Sequence, residues 1–318
     1  MTIPGPLPWH DAQWARIGRG IETGVIPHAL LLRGPGGNGE SLFAARLAAA
    51  ILCPRQAQSG APCGECDSCV FCASGSHPDR IDVGVREERR EIVIDQIREI
   101  IHLTNLTPGI GRRKVVLIDP AERVNHHAAN TLLKTLEEPP GESVFILVAS
   151  NAALLPATVR SRCQIIDFPT PPRSMALEWL EKTLDKKHSK HDAADLLEIA
   201  HGAPLRALAL VEEEQIELRR ELASGVDALL SGEDPLKIAA LWRAKGLDRV
   251  SWWIGDILAV RLRQSALEGG VRRSLLPLID QCLELRGRVL ARSNPNEQLA
   301  IERLAVTIAA ARPAKGRA

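Results

Sequence analysis

The spacing of hydrophobic residues along this 318-residue chain changes near residue 170. Before that point, short and nearly continuous apolar runs alternate with segments whose apolar residues recur at helical spacing. Such runs are typical of parallel strands covered on both faces, and their alternation with helices predicts an α/β domain. The predicted strands lie at 29–33, 80–85, 114–118, 143–149 and 164–168.

Between the predicted strands, helical faces are marked by apolar residues three, four and seven positions apart. The clearest face contains Ala129, Leu132 and Leu136, and Asn125 is the predicted N-cap of that helix. Prolines at 169–172 then break the pattern, and every later apolar segment is helical. We therefore predict an α/β domain over 1–168, a small helical domain over 169–210, a larger helical domain over 211–311 and a disordered tail over 312–318.

Composition narrows the class of protein only slightly. Hydrophobic residues make up 45% of the chain, charged residues 25%, and the formal net charge is +1, so no global field favours nucleic acid or a membrane. The first residues lack the basic and apolar segments of a signal peptide, and no apolar stretch is long enough to cross a bilayer. We expect a cytoplasmic protein without membrane contact.

Residues 34–41 form a phosphate-binding loop that has lost its lysine. Gly34, Gly39 and Ser41 fit the fixed positions of the G-x-x-x-x-G-K-[ST] pattern, but Glu40 replaces the lysine that reaches the β- and γ-phosphates. At about 4 Å and an effective dielectric of about 20, a lysine charge attracts a phosphate charge by an energy on the order of 4 kcal/mol. A glutamate charge at the same place repels the phosphate instead. The loop is expected to keep its shape without holding ATP productively.

Asp119 follows the predicted strand 114–118, where a P-loop enzyme holds its Mg²⁺. Pro120 comes next, in the region where a hydrolytic enzyme carries a glutamate that activates water. An aspartate after a strand is more often a turn residue or a helix cap when taken alone. Together with the altered loop upstream, it indicates a degenerate nucleotide site.

Five of the seven cysteines lie between residues 53 and 72, which favours a metal site over a dispersed disulfide framework. Cys63, Cys66 and Cys69 are spaced by three, and either Cys53 or Cys72 completes a four-thiolate set. We favour Cys53, because four sulfurs at a spacing of three seldom reach one ion. A set without histidine is typical of a structural Zn²⁺ site. An iron–sulfur cluster and reduced free thiols are the weaker alternatives.

Two arginines, Arg160 and Arg162, flank Ser161 just before the last predicted strand. An isolated arginine is usually a solvated surface group. An arginine near a sheet end can also reach the γ-phosphate bound by a neighbouring subunit, as an arginine finger does. We therefore interpret Arg162 as a candidate catalytic group acting in trans.

Taken together, these segments resemble the clamp-loader subunits of the AAA+ family. The run NTLLKTLEEPP at 130–140 resembles the most recognisable segment of that family, and Ser161-Arg162-Cys163 matches its SRC motif. Cys53, Cys63, Cys66 and Cys69 match its zinc module, inserted here over 53–72. Further matches lie at Ser150 and Asn151 (sensor 1), at 202–206 with Arg206 (sensor 2) and at 294–299 (collar).

The resemblance implies a fold, partners and a mechanism. It implies an AAA+ domain, a helical lid and a helical collar within a hetero-pentamer with δ and γ/τ subunits, which places the sliding clamp on primed DNA. Glu40 and Pro120 favour a non-hydrolysing subunit of bacterial DNA polymerase III, with no independent enzymatic activity, over an active γ/τ-like ATPase. Arg162 would then complete the neighbour's ATP site, and Arg206 would belong to a relict nucleotide site.

Overall fold

The computed structural model describes residues 3–56, 60–87, 89–184, 192–212, 215–264, 269–290 and 295–311. The chain divides into two compact units, Met1–Leu210 and Val211–Ala318. The predicted disordered tail over 312–318 lies outside the described residues. The separation of a lid domain over 169–210 from the α/β domain stays a prediction.

The first unit contains one parallel sheet, and its strands follow the hydrophobic runs of the sequence. The described strands are β1 Ala29–Arg33, β2 Arg80–Val83, β3 Val115–Ile118, β4 Val144–Ala149 and β5 Gln164–Asp167. They pair in the order β2-β3-β4-β1-β5, every pair being parallel. The predicted five-stranded parallel sheet is confirmed, with strand ends that differ from the predicted ones by no more than two residues.

Helices cover both faces of this sheet. The helices up to residue 212 are α1 Asp11–Thr23, α2 Glu40–Leu52, α3 Asp67–Ser74, α4 Ile94–Asn105, α5 His126–Glu137, α6 Ala157–Arg160, α7 Arg173–Thr183, α8 Ala193–Ile199 and α9 Pro204–Glu212. Leu30 and Leu32 pack with α1 and α2 on one face, whereas Leu31 packs with α4 and α5 on the other. The Asn125 side chain accepts a hydrogen bond from the Ala128 amide at 2.9 Å, which confirms the predicted cap of α5.

The second unit is helical throughout the residues that the structure describes. Its helices are α10 Gln215–Ser231, α11 Pro235–Arg243, α12 Leu247–Gln264, α13 Gly269–Leu290 and α14 Glu297–Ala310. Asp234 and Asn296 cap α11 and α14 through their side-chain oxygens. Leu222, Val226 and Leu304 are fully buried in this unit. Among the described helices of both units, none combines the length and apolarity that a bilayer span requires.

The fully buried carboxylate of Asp79 lies directly before β2 and binds the turn that leads into β3. It accepts hydrogen bonds from the amides of Gly109, Ile110 and Gly111 at 2.6, 2.9 and 3.0 Å, and the Lys114 Nζ lies 3.7 Å away. Burial raises the pKa of Asp79, but the three amides and Lys114 outweigh it, so the pKa lies below its usual value. The carboxylate therefore stays ionised at neutral pH and fixes the 109–111 turn.

Asp79→Asn is expected to lower the free energy of unfolding by about 2–4 kcal/mol, because the amide cannot satisfy three buried donors and leaves Lys114 without its counter-charge. Asp82→Asn on the same strand is the matched control. The Asp82 side chain is 51% exposed and pairs with Arg80, and asparagine keeps an acceptor for this arginine, so the change is expected to cost about 1 kcal/mol or less. Urea denaturation of both variants measures the difference, and equal costs would contradict this account of Asp79.

Candidate nucleotide-binding loop and metal centre

The glycine-rich loop joins β1 to α2, as a phosphate-binding loop does. The Gly34 amide donates to the Ala149 carbonyl at 3.3 Å, which fixes the start of the loop to β4. Gly39 has a φ of +94°, and a Cβ added there would lie 2.4 Å from the Leu7 Cδ1 atom. The loop therefore needs glycine at this position for its backbone conformation and for its close packing.

The Glu40 side chain turns back into the loop and binds its amides. Its Oε1 accepts from the Gly36 amide at 3.3 Å, and its Oε2 accepts from the Asn38 amide at 3.2 Å. Glu40 is the first residue of α2 and is only 4% exposed. Amides at a helix N-terminus attract anions, and here a carboxylate of the same chain supplies the anion.

The environment of Glu40 opposes a second negative charge. Burial raises the pKa of Glu40, hydrogen bonds from the amides of Glu40, Gly36 and Asn38 lower it, and the nearby Asp119 raises it again, so the pKa lies above its usual value. A nucleotide phosphate would have to displace this carboxylate from the amides. It would also lack the ion pair that the lysine of the pattern provides.

Two neighbouring segments fix the outer side of the loop. The Asn38 carbonyl accepts hydrogen bonds from Trp9 Nε1 at 2.7 Å and from His10 Nε2 at 2.8 Å. The Leu205 amide, in the first turn of α9, donates to the Gly37 carbonyl at 3.1 Å. A Cβ added to Gly37 would lie 2.6 Å from the Arg206 Cβ, which places the predicted sensor 2 residue directly against the loop.

Asp119 follows β3 beside the loop, at the position where the sequence predicts the remnant of a magnesium site. Burial raises the pKa of Asp119, the nearby Ser41 hydroxyl lowers it, and the charges of Glu122 and Asp82 raise it, for a net increase. The structure thus brings all six predicted relict-site residues to one place: Gly34, Gly39, Glu40, Ser41, Asp119 and Arg206.

Sequence reasoning missed Glu122, which lies two residues after Pro120. Its Oε1 accepts a hydrogen bond from the Ser150 amide at 3.1 Å, linking the end of β3 to the predicted sensor 1 position after β4. Its Oε2 is buried and has no hydrogen-bond partner among the described residues. Pro120 occupies the position directly after Asp119, so only the three-dimensional contact identifies Glu122.

The cysteine module forms a compact four-sulfur cluster. The sulfurs of Cys53, Cys63, Cys66 and Cys69 all lie within 4.8 Å of one another and could hold a metal ion. Cys53 directly follows α2, Cys66 directly precedes α3, and Cys69 lies in the first turn of α3. Cys72, the other candidate for the fourth ligand, packs instead into the apolar core around α2.

Backbone amides point at two of the four sulfurs. The Cys63 amide donates to Cys53 Sγ at 3.5 Å, and the Cys66 amide donates to Cys63 Sγ at 3.4 Å. The amides of Glu65 and Cys66 lower the pKa of Cys63 to about 6, whereas burial raises the pKa of Cys53 and of Cys69. Burial also raises the pKa of Cys72 to about 11. The cluster therefore contains one thiol that ionises easily and buried thiols that a cation would have to deprotonate.

A hydrogen-bond chain anchors the cysteine module to the sheet. The Asp79 amide donates to His77 Nδ1 at 3.0 Å, so His77 Nε2 carries the proton and donates to Ser68 Oγ at 2.6 Å. Ser68 Oγ in turn donates to the Leu52 carbonyl at 2.8 Å. Burial lowers the pKa of His77, which keeps the ring neutral in this arrangement. The module is thus attached both to the end of α2 and to the beginning of β2.

Arg162 lies between α6 and β5, away from the chain's own loop. Its Nε donates to Glu137 Oε1 at 2.6 Å and its Nη1 donates to the Thr158 carbonyl at 2.8 Å. The side chain is 32% exposed. No described contact joins it to the relict site, so the predicted catalytic arginine and the predicted nucleotide residues occupy separate places.

The sheet order, the loop between β1 and α2 and the flanking helices define a P-loop protein of the AAA+ fold. A solved structure of a DNA polymerase III gamma subunit-related protein from Thermotoga maritima has this fold. It is 18% identical, covers 95% of this chain and 100% of its own, and has a TM-score of 0.56. A family model described as "DNA polymerase III, delta subunit" matches residues 9–172.

Two curated relatives narrow the class. The DNA polymerase III subunit delta' of Pseudomonas aeruginosa is 34% identical over 94% of this chain and 96% of its own length. The subunit tau of Salmonella typhimurium is 32% identical over 62% of this chain and 30% of its own length. The chain belongs to the family of DNA polymerase III δ′ subunits.

Glu40→Ala is expected to lower the free energy of unfolding by about 1–3 kcal/mol, because the amides of Gly36 and Asn38 lose their acceptor. Inorganic phosphate should then stabilise the variant more than the wild type, since an external anion can bind the freed amides. Glu22→Ala, an exposed change of the same kind in α1, is the control. Urea denaturation with and without phosphate provides the measurement. An equal phosphate effect on all three proteins would contradict the occupancy of the loop by Glu40.

Proposed function

We propose that this chain is the δ′ subunit of a bacterial DNA polymerase III clamp loader and acts as a non-hydrolysing stator. In this role it helps to place the sliding clamp on primed DNA in the cytoplasm. It does so as one subunit of a hetero-pentamer with δ and γ/τ subunits, held together by the helical segment 211–311. Family membership supports the assignment. The contact between Glu40 and the loop amides is the observation that most strongly supports the non-hydrolysing role.

That contact supports a subunit that does not use ATP itself. The phosphate-binding amides already have an anion, the lysine is absent, and Asp119 and Glu122 lie beside the loop. The remaining chemistry would reside in Arg162, which is part-exposed and lies apart from its own loop. An arginine so placed is suited to stabilise the charge that develops on a phosphate bound by an adjacent γ/τ subunit.

The alternative function is an active γ/τ-like ATPase that tolerates Glu40. Titration of the purified chain with labelled ATP distinguishes the two, because a motor must bind ATP in its own loop. Saturable binding at or below millimolar ATP would favour the motor. The geometry of Glu40 favours the stator.

We also propose that the cysteine cluster holds a structural Zn²⁺. Zinc–thiolate bonds of about 2.3 Å in a tetrahedron separate the sulfurs by about 3.8 Å. The Cys53–Cys66 and Cys63–Cys69 sulfur distances are 3.8 and 3.9 Å, so the donor set fits such an ion. Four thiolates leave no open position for a substrate, which supports a role in joining α2 to α3.

Arg162→Ala is expected to leave assembly intact and to lower the DNA-stimulated ATPase and clamp loading of the reconstituted complex by about tenfold or more, because a finger contributes roughly 10³–10⁵ to a rate. Arg160→Ala, two residues earlier in α6, is the matched control and should retain activity. An unchanged ATPase in the Arg162 variant would refute the proposed role in trans.

The purified chain is expected to contain about one zinc ion per molecule by elemental analysis, and Cys69→Ser should abolish tight binding and destabilise the module. Cobalt substitution should produce the absorption of a tetrahedral thiolate site in the wild type. Cys72→Ser and Cys163→Ser are controls outside the cluster and should retain the metal. Loss of zinc from Cys72→Ser with retention in Cys53→Ser would show that the ligand set is wrong.

A further inference from the structure

The guanidinium group of Arg162 is held by its own chain on two sides. Glu137 Oε1 accepts hydrogen bonds from both Nε and Nη2, so one carboxylate oxygen binds the long edge of the group. On the other side, Nη1 donates to the Thr158 carbonyl at 2.8 Å and contacts Ser161 Oγ at 3.4 Å. Each of the three guanidinium nitrogens therefore has a partner within the chain.

Two helix ends contribute to this arrangement. Glu137 is the last residue of α5, and Thr158 lies in the short helix α6. The partial negative charge at the C-terminal end of α5 favours a cation there, in addition to the carboxylate itself. The short helix α6 provides the carbonyl that receives Nη1. The Arg162 side chain is thus held by contacts to α5 and α6.

The geometry points to a specific use for the Glu137 carboxylate. It takes one hydrogen from Nε and one from Nη2, and the second hydrogen of Nη2 points to the end of the guanidinium group. A guanidinium binds phosphate oxygens through its N–H groups, so an external anion can accept a hydrogen bond from this remaining Nη2 hydrogen. A long arginine side chain that is already ordered loses less conformational freedom when it meets that anion.

We propose that Glu137 is the positioning residue of Arg162 and holds the guanidinium in the orientation in which it meets the neighbouring subunit's nucleotide. This inference rests on the proposed role of Arg162 in trans. The Glu137 side chain is 47% exposed and the Arg162 side chain 32%. An ion pair as exposed as this contributes little to folding stability, so its effect should appear in the rate of the complex.

The test is a double-mutant cycle in the reconstituted clamp-loader complex with primed DNA, scored by steady-state ATPase. Glu137→Gln keeps the size of the side chain and removes its charge, and it is expected to lower kcat about three- to tenfold, the loss for one long side chain that must be ordered anew. The KM for ATP should stay within about twofold, because the finger acts in the transition state. In an Arg162→Ala background, Glu137→Gln should have no further effect.

Glu138→Gln is the matched control. It makes the same change of charge one residue further on, at an exposed position without a described side-chain contact, and should behave as the wild type. Thermal unfolding and co-purification establish that each variant folds and assembles. Should Glu137→Gln fail to assemble, the same cycle with Glu137→Asp decides by the same criterion, since aspartate keeps the charge but shortens the reach by one methylene.

The possible outcomes separate the two proposals. If Arg162→Ala leaves the ATPase unchanged, the proposed role of Arg162 in trans fails. If Arg162→Ala lowers the rate but Glu137→Gln does not, the positioning inference alone fails. It fails equally if the two losses simply add, or if Glu137→Gln raises kcat, which would mean that the carboxylate restrains Arg162.

Discussion

The amides of the glycine-rich loop before α2 need a negatively charged acceptor, and this requirement organises the first unit of the protein. In a nucleotide-binding loop that acceptor is a phosphate, and the loop orders around its ligand. Here the acceptor is the carboxylate of Glu40, the first residue of α2. The loop also receives hydrogen bonds from Trp9, His10 and the first turn of α9. Its conformation therefore does not depend on a nucleotide, and neither does the position of α9 against it.

The same residues explain how the loop keeps its conformation without the lysine of the pattern. The loop glycines are needed for positive φ and for close packing against Leu7 and Arg206, whatever the loop binds. Asp119 lies near the Ser41 hydroxyl, and Glu122 connects the segment after β3 to the residue after β4. These polar groups thus have intramolecular contacts. A lysine among these carboxylates would pair with them, whereas Glu40 instead adds a negative charge and binds the amides.

Much of the fold could be predicted from the sequence because its signals are local. Continuous apolar runs such as 115–118 mark strands buried on both faces, and Asn125 marks the beginning of α5 by its hydrogen bond to Ala128. The strand order of the sheet and the Glu40 contact to Gly36 and Asn38 could not be derived in this way. The template shows only that Glu40 is not a lysine. The direction in which its side chain turns depends on burial and on amides that become available only when the loop has formed.

The two carboxylates Glu40 and Glu137 show why a residue type alone does not determine a functional effect. Glu40 lies where a phosphate would bind and opposes it, since both are anions competing for the same amides. Glu137 binds the Nε and Nη2 groups of a cation, so it can orient Arg162 while the second hydrogen of Nη2 is left for an anion. It also reduces the net charge that the phosphate meets, and these two effects have opposite signs. Orientation is short-range and is kept in a closed interface, whereas the charge of an exposed pair is screened by solvent and salt. Positioning by Glu137 is therefore expected to outweigh the cost in charge.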